Sequence, residues 1–349
     1  MRTIRIIHGA DFRLDAPYEA LNTSQAAVRR GEQSALLDRL VQLAEKERAD
    51  LMLLCGSLAD TEATAEALIR GLEKASCPVI LTAERTGGVW TRIKFPENIT
   101  VLSGNNTQPF PLPSADARIY RAAGGSFRGF HAERRAGTYN ILCLNTRRDA
   151  VTEEDLAASG ADYVALGYES SASGLLQSGS TWDSWPGCPE GRGFDECGEK
   201  TVNVVDLSGD ECKLRQENIA MRRYQRLTLD ISEKDPLLLV HTSLPDDTIK
   251  DSYRIVLMGE TTSAPDLRRL YQNLEELFFS LQLVDRTRLC KNIWEGACDD
   301  TLRGLLLKKL RGRYDAAATE AQRLRIEQAV RWGLAAIDNG EEVAVHENS

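Results

Sequence analysis

Histidine is scarce in this chain, with four among 349 residues, at positions 8, 131, 241 and 346. That scarcity works against any site needing several imidazole ligands, and none of the four lies near a cysteine pair that could complete a structural zinc site. No stretch approaches about 18 consecutive apolar residues, so there is no candidate membrane span. The chain runs from Met1, Arg2 and Thr3 straight into an apolar strand pattern without a leader-like segment, and a cytoplasmic protein is expected. None of the eight cysteines (Cys55, Cys77, Cys143, Cys188, Cys197, Cys212, Cys290, Cys298) stands in C-x-x-C spacing, and structural disulfides are not expected in that compartment. Around Gly124 and Gly125 neither a G-x-G-x-x-G nor a GKS/GKT pattern follows, which excludes a dinucleotide fingerprint and a P-loop there. Net charge is −9 with a pI near 5.2, so nonspecific affinity for nucleic acid over the whole surface is disfavoured.

What is present is an ordinary folded composition, 42% apolar and 27% charged, long enough for a large core and two domains. Residues 4–17, "IRIIHGADFRLDAP", read as a buried strand ending at a turn that carries Asp11 and Arg13. If strand geometry persisted, those two residues would face the same way. Further apolar runs, "ADLMLLCGSLAD" and "CPVILTAERTGG", each follow a stretch of helical period, over about 34–48 and 64–74. Strand, helix, strand, helix, strand with short connections predicts right-handed crossovers and a largely parallel sheet, with chemistry at the carboxyl ends of its strands.

The spacing of those strand ends resembles the calcineurin-like metallophosphoesterases, and most closely the bacterial SbcD-like DNA-repair exonucleases. The family carries Asp-x-His, Gly-Asp, Gly-Asn-His-Asp, a lone His and Gly-His-x-His at successive strand ends. Here Asp11 matches the first Asp, but Arg13 stands for its His. Gly56-Ser57 stands for Gly-Asp, and Glu84, Arg85, Thr86 and Gly87 for the third motif. Asn145, at the end of "YNILCLN", takes the place of the lone His, and Tyr168 and Ser170 replace the last histidines. The His at position 8 is frequent in the family and binds no metal there. The order "PGCPEGRGFDECGEK" before "TVNVVDL" is the most specific match to the exonuclease branch. The resemblance implies an α/β, four-layer sandwich of two mixed sheets flanked by helices, over residues 1–235, followed by a smaller α/β capping domain over 248–340.

It also implies a centre of two Mn or Mg ions, and that expectation fails on the residues themselves. Ions about 3.5–4 Å apart need a bridging carboxylate and several further donors. Of the family's ligands only Asp11 survives, and Arg13 and Arg85 bring guanidinium groups with no acceptor atom. No cofactor is therefore expected, and Arg13 or Arg85 is expected to pair with Asp11 or Glu84. The expected function is that of a catalytically inactive scaffold or regulatory subunit. By resemblance its partner would be an SMC-like coiled-coil ATPase, and a homodimer and weak DNA contact are compatible with the same reading. An active phosphoesterase using Asp11, Asp15, Glu84, Asn145 and Glu169 as atypical ligands is one alternative. The other is a non-catalytic DNA-binding module built on Lys308, Lys309, Arg311 and Arg313 in "LRGLLLKKLRGRYD"; its plainer reading is a solvated helix face, since stacking aromatics are sparse there.

Elsewhere residues 117–130 read as a strand followed by a glycine-rich turn, which the resemblance places in a core hairpin, and His131 is expected to be exposed. Glu190, Arg192 and Asp195 are expected to pair with one another, and Trp182 and Trp185 to serve as aromatic plugs or a binding platform. A connector is read at "DPLLLVHTSLPDD", a strand at "SYRIVLMGET" and a helix over about 264–280. Two leucine-rich helical stripes come next, Leu302, Leu305, Leu306 and Leu310, then Leu324, Ile326, Val330, Leu334 and Ile337. Periodicity does not separate a domain core from a docking surface for a partner helix, and most of these positions are read as core.

Overall fold

The computed structural model describes residues 2–83, 88–104, 106–123, 127–232, 234–261, 263–289 and 293–339. Along the chain the first elements are β1 (Ile4–Ala10), α1 (Thr23–Glu47), β2 (Leu51–Cys55), α2 (Glu62–Leu72), β3 (Val79–Ala83) and β4 (Ile99–Ser103). Next come β5 (Asn106–Leu112), β6 (Ala117–Ala123), β7 (Tyr139–Asn145), α3 (Glu153–Ala158) and β8 (Tyr163–Gly167). The short β9 (Leu176–Ser178) and β10 (Thr181–Ser184) lead to β11 (Val202–Ser208) and β12 (Glu211–Glu217).

Apolar alternation in these strands builds the layers. One sheet has the order β12-β11-β1-β2-β3-β4, parallel from β1 to β4 with an antiparallel pair added at β11 and β12. The other has the order β5-β6-β7-β8-β10-β9, parallel from β6 to β10. Ile4, Ile6, Leu51, Leu53 and Cys55 on the first sheet pack against Ile119, Ile141, Cys143 and Tyr163 on the second. The intervening positions Ile7, Met52 and Leu54 turn outward onto Leu36, Leu40, Leu68 and Leu72 of α1 and α2. On the outer face of the second sheet, Leu142, Leu144, Val164 and Leu166 are covered by Leu156 of α3 and by Trp185. This is an α/β fold of two mixed sheets flanked by helices, since each strand buried on both faces needs a cover on each side.

His8 is fully buried, its Nδ1 lies 2.9 Å from the Tyr163 hydroxyl, and burial pushes its imidazole down to about 3, so it is neutral. His131 is exposed, as its sequence context predicted.

Several local expectations are corrected. β6 forms no hairpin with its successor in the chain; it pairs antiparallel with β5 before it and parallel with β7 after it. Glu190 does not pair with Arg192. It is held by Arg29 of α1, with both residues buried, while Arg192 donates to the Tyr18 hydroxyl and to the Phe12 carbonyl. A long-range partner on α1 outcompetes neighbours that are close only in sequence. Trp185 is a plug that donates to the Thr146 carbonyl at 3.1 Å, and the Trp182 ring packs against the inter-sheet core.

The chain continues through β13 (Tyr224–Asp230), α4 (Pro236–Ser243), β14 (Ser252–Met258), β15 (Glu260–Thr261), α5 (Leu267–Leu274), β16 (Ser280–Asp285), β17 (Arg288–Leu289), α6 (Leu302–Asp315) and α7 (Glu320–Asn339). β13, β14 and β16 form a sheet in the order β13-β14-β16, and β15 pairs with β17. The segment read as a connector is the helix α4, because Asp235 caps it through the Leu238 amide and Pro236 fits its first turn. The helix read over 264–280 ends early, and residues from 280 onward are strand. By contact density the chain divides into one unit of Met1–Leu227, Pro245–Arg254 and Leu274–Gln282, and another of Thr228–Leu244, Ile255–Asn273 and Leu283–Ser349.

In the second unit the leucine stripes are corrected as well. Leu302 and Leu305 are 73% and 60% exposed, and Leu324 and Ile337 are also exposed, whereas Gly304, Leu307 and Val330 are buried. The two helices pack through small and medium residues, as Leu306 meeting Gly333 shows, and that leaves part of each leucine stripe outside. Lys308, Lys309, Arg311 and Arg313 are all exposed.

Candidate functional site

β1, β2, β7 and β8 deliver their carboxyl ends to one place. Strand geometry stops at Ala10; Asp11 and Arg13 both adopt positive φ, 54° and 41°, and Tyr168 after β8 has φ 77°. The expectation that Asp11 and Arg13 face one way through continued strand geometry is thus corrected, although both line the same cavity. That cavity, of about 330 Å³, is walled by Asp11, Arg13, Ser57, Arg147 and Tyr168. The left-handed conformations are held by ladder-like bonds between the loops: Asp11 N to Cys55 O, Arg13 N to Ser57 O and Leu14 N to Leu58 O, each 3.0 Å. Non-glycine residues with such φ values cost about 1–3 kcal/mol each and cluster where a site once needed or still needs them.

The Asp11 carboxylate, 3% exposed, is consumed by the backbone. Oδ1 accepts from Ser57 N at 2.9 Å and Oδ2 from Tyr168 N at 2.7 Å. Burial pushes its carboxyl up to about 6, with the Ser57 amide and the charge of Arg13 offsetting part of the rise. Gly56 makes the arrangement feasible, because a Cβ there would run into the Asp11 carboxylate and its φ of 75° favours glycine.

Arg13 does not pair with Asp11, contrary to expectation. Its Nη2 donates to Glu196 Oε1 at 2.7 Å, and the other Glu196 oxygen accepts from Arg192 N at 2.9 Å. The buried Glu196 forms no other ion pair among the described residues and holds the Arg13 guanidinium.

Asn145 stands at the end of β7, its Oδ1 accepting from Gly56 N at 2.8 Å and from the Thr82 hydroxyl at 3.3 Å, while its buried Nδ2 has no partner among the described residues. Ser170 offers its carbonyl, not its hydroxyl, to Lys200 Nζ at 3.0 Å and to the Cys188 amide and thiol. Arg85 and Thr86, with Glu84, lie outside the described residues. Asp15 accepts from Asp60 N and from the hydroxyls of Thr61 and Thr64, which ties it to the start of α2. Glu169 accepts from Arg148 N at 3.0 Å. Of the atypical set, Asp11 and Asn145 accept from the adjacent amides of Ser57 and Gly56, while Asp15 and Glu169 are tied to the start of α2 and to Arg148. Among the described residues no group of three His, Cys, Asp or Glu side chains could hold a metal. The described donors do not fit a dinuclear centre: Ser57 offers a hydroxyl where two ions need a bridging carboxylate, and each Asp11 oxygen already accepts one amide.

Sequence reasoning missed Arg147, Glu196 and Lys200. Arg147 stands two residues beyond the strand end at Asn145, a proximity that could have marked it. Lys200 is 4% exposed and forms no ion pair among the described residues, and nothing in a linear pattern signals that.

No protein-family model matches the chain. It is similar to an uncharacterized metallophosphoesterase of Bacillus subtilis, YhaO, at 22% identity over 261 residues, covering 66% of this chain and 64% of that protein. The match thus spans less than two thirds of that relative, and the similarity is distant.

Proposed function

We propose that this chain is a metallophosphoesterase-fold protein whose metal centre is lost and which acts without catalysis, as a scaffold or regulatory subunit. The observation that carries the reading is the fate of Asp11. The one carboxylate in place for a metal spends both oxygens on the Ser57 and Tyr168 amides, while Ser57 occupies the position that must supply the bridge. The two-sheet architecture and the distant similarity to a bacterial metallophosphoesterase support the fold assignment.

Within this reading the chain belongs beside the DNA-end-processing exonucleases, with an SMC-like ATPase as partner. The support for that finer placement is the order of residues over 186–200, which resembles that branch. The exposed cations of α6 are a solvated face. A hydrolysis assay on bis(p-nitrophenyl) phosphate and on linear duplex DNA, with Mn²⁺ supplied, tests the proposal. Buffer-level rates are expected, and turnover that disappears in Asp11→Ala overturns it.

A further inference from the structure

We propose that the second unit carries a binding site for an apolar zwitterion, a free amino acid or a short peptide with both ends unblocked, in a cavity between the starts of α4 and α5. The proposal does not depend on the loss of the metal centre. The cavity measures about 940 Å³, within the roughly 300–1,000 Å³ of small-ligand pockets, and its described lining residues all belong to that unit. Ile231, Pro236, Leu237, Pro265 and Leu270 make its apolar wall, and Ile231 and Leu270 are 2% and 8% exposed.

Charge selects the ligand. Each helix start sets a cation and a carboxylate on this lining, Lys234 with Asp235 at α4 and Arg269 with Asp266 at α5. The carboxylates are fixed by capping: Asp235 Oδ1 accepts from Leu238 N at 2.9 Å, and Asp266 Oδ1 from Arg269 N at 3.0 Å. Their second oxygens accept nothing among the described residues, and neither Lys234 nor Arg269 forms an ion pair there.

With Glu260 the lining holds three carboxylates against two cations, so a plain anion meets net repulsion. A plain amine would leave both cations uncompensated beside it. A ligand with an ammonium and a carboxylate gives each sign its complement, and the planar fork of Arg269 suits a carboxylate bound through both oxygens. Thr261 lines the same cavity and buries a hydroxyl with no partner among the described residues, a group that a peptide or carboxylate oxygen can satisfy.

The test is calorimetric titration of the full chain with L-leucine, trileucine, triglycine, N-acetyl-trileucine and trileucine amide. Saturable binding at one site is expected for leucine or trileucine, the tighter of the two telling a free amino acid from a peptide. Triglycine is expected to bind about tenfold more weakly or worse, for want of side chains to bury on the apolar wall. Arg269→Gln is expected to weaken trileucine about tenfold and to leave the amide unchanged. Asp266→Asn keeps a helix-capping side chain, and is expected to weaken trileucine while leaving the acetylated peptide unchanged. No saturable binding of leucine or trileucine overturns the proposal. So does an acetylated or amidated peptide that binds as tightly as the free one, or trileucine binding equal in wild type and Arg269→Gln.

Discussion

Asp11 Oδ1 lies 2.9 Å from the backbone nitrogen of Ser57, so the loop after β1 is bonded to the loop after β2. This contact clamps the two loops together. Asp11, through its other oxygen, also holds Tyr168, and so ties the end of β1 to the ends of β2 and β8.

If the clamp is structural, Gly56→Ala will be costly. The new Cβ would meet the Asp11 carboxylate at a φ of 75°, and a loss of about 2–4 kcal/mol in urea-induced unfolding is expected. A change under about 0.5 kcal/mol would show that the loops separate freely.

The α1 contact to the segment after Pro186 gives a second prediction. Arg29 and Glu190 are 1% and 0% exposed and paired at 2.9 Å. Arg29→Met alone strands a buried carboxylate and is expected to cost about 3–5 kcal/mol. Adding Glu190→Gln should restore part of that loss, and a double-mutant cycle with no coupling would refute the pairing.

Much of this was legible in the sequence, for physical reasons that differ by residue. Strands such as "IRIIHGA" and "YNILCLN" are apolar on both faces and declare a covered sheet, and the strand ends that carry Asp11, Ser57, Asn145 and Tyr168 follow from them. The partner of Arg13 was not legible. Glu196 lies 183 residues away, and the choice between it and Asp11 depends on which carboxylate the backbone amides have already occupied. Nor was the start of α1, where Asn22 and Gln25 form a capping box that periodicity alone placed too late. The exposed leucines of α6 misled because helical spacing marks an apolar face without saying how much of it is covered.

Stability should also depend on pH through Asp183, whose carboxyl burial pushes up to about 6, with the Ser178 hydroxyl offsetting part of the rise. Because the folded pKa exceeds the unfolded value of 3.8, the native chain holds the proton more tightly, and stability falls as pH rises through that window. Asp183→Asn is expected to add about 2 kcal/mol near neutral pH and above, with the gain vanishing below about pH 4. A gain that is constant with pH would contradict the assignment.

The exposed cations of α6 should matter little to folding. Reversing Lys308, Lys309 and Arg311 to Glu is expected to shift unfolding by no more than about 0.5 kcal/mol. Duplex DNA is expected to bind weakly at about 150 mM salt. Submicromolar binding lost in that variant would restore the DNA-binding reading.

Calorimetric titration of the chelator-free protein with Mn²⁺ bears most directly on the loss of the metal centre. No saturable binding in the micromolar range is expected, with wild type and Asp11→Ala indistinguishable, because Ser57 supplies no bridge and the Asp11 oxygens are held by the amides of Ser57 and Tyr168. Binding of two ions per chain, abolished by Asp11→Ala, would contradict it.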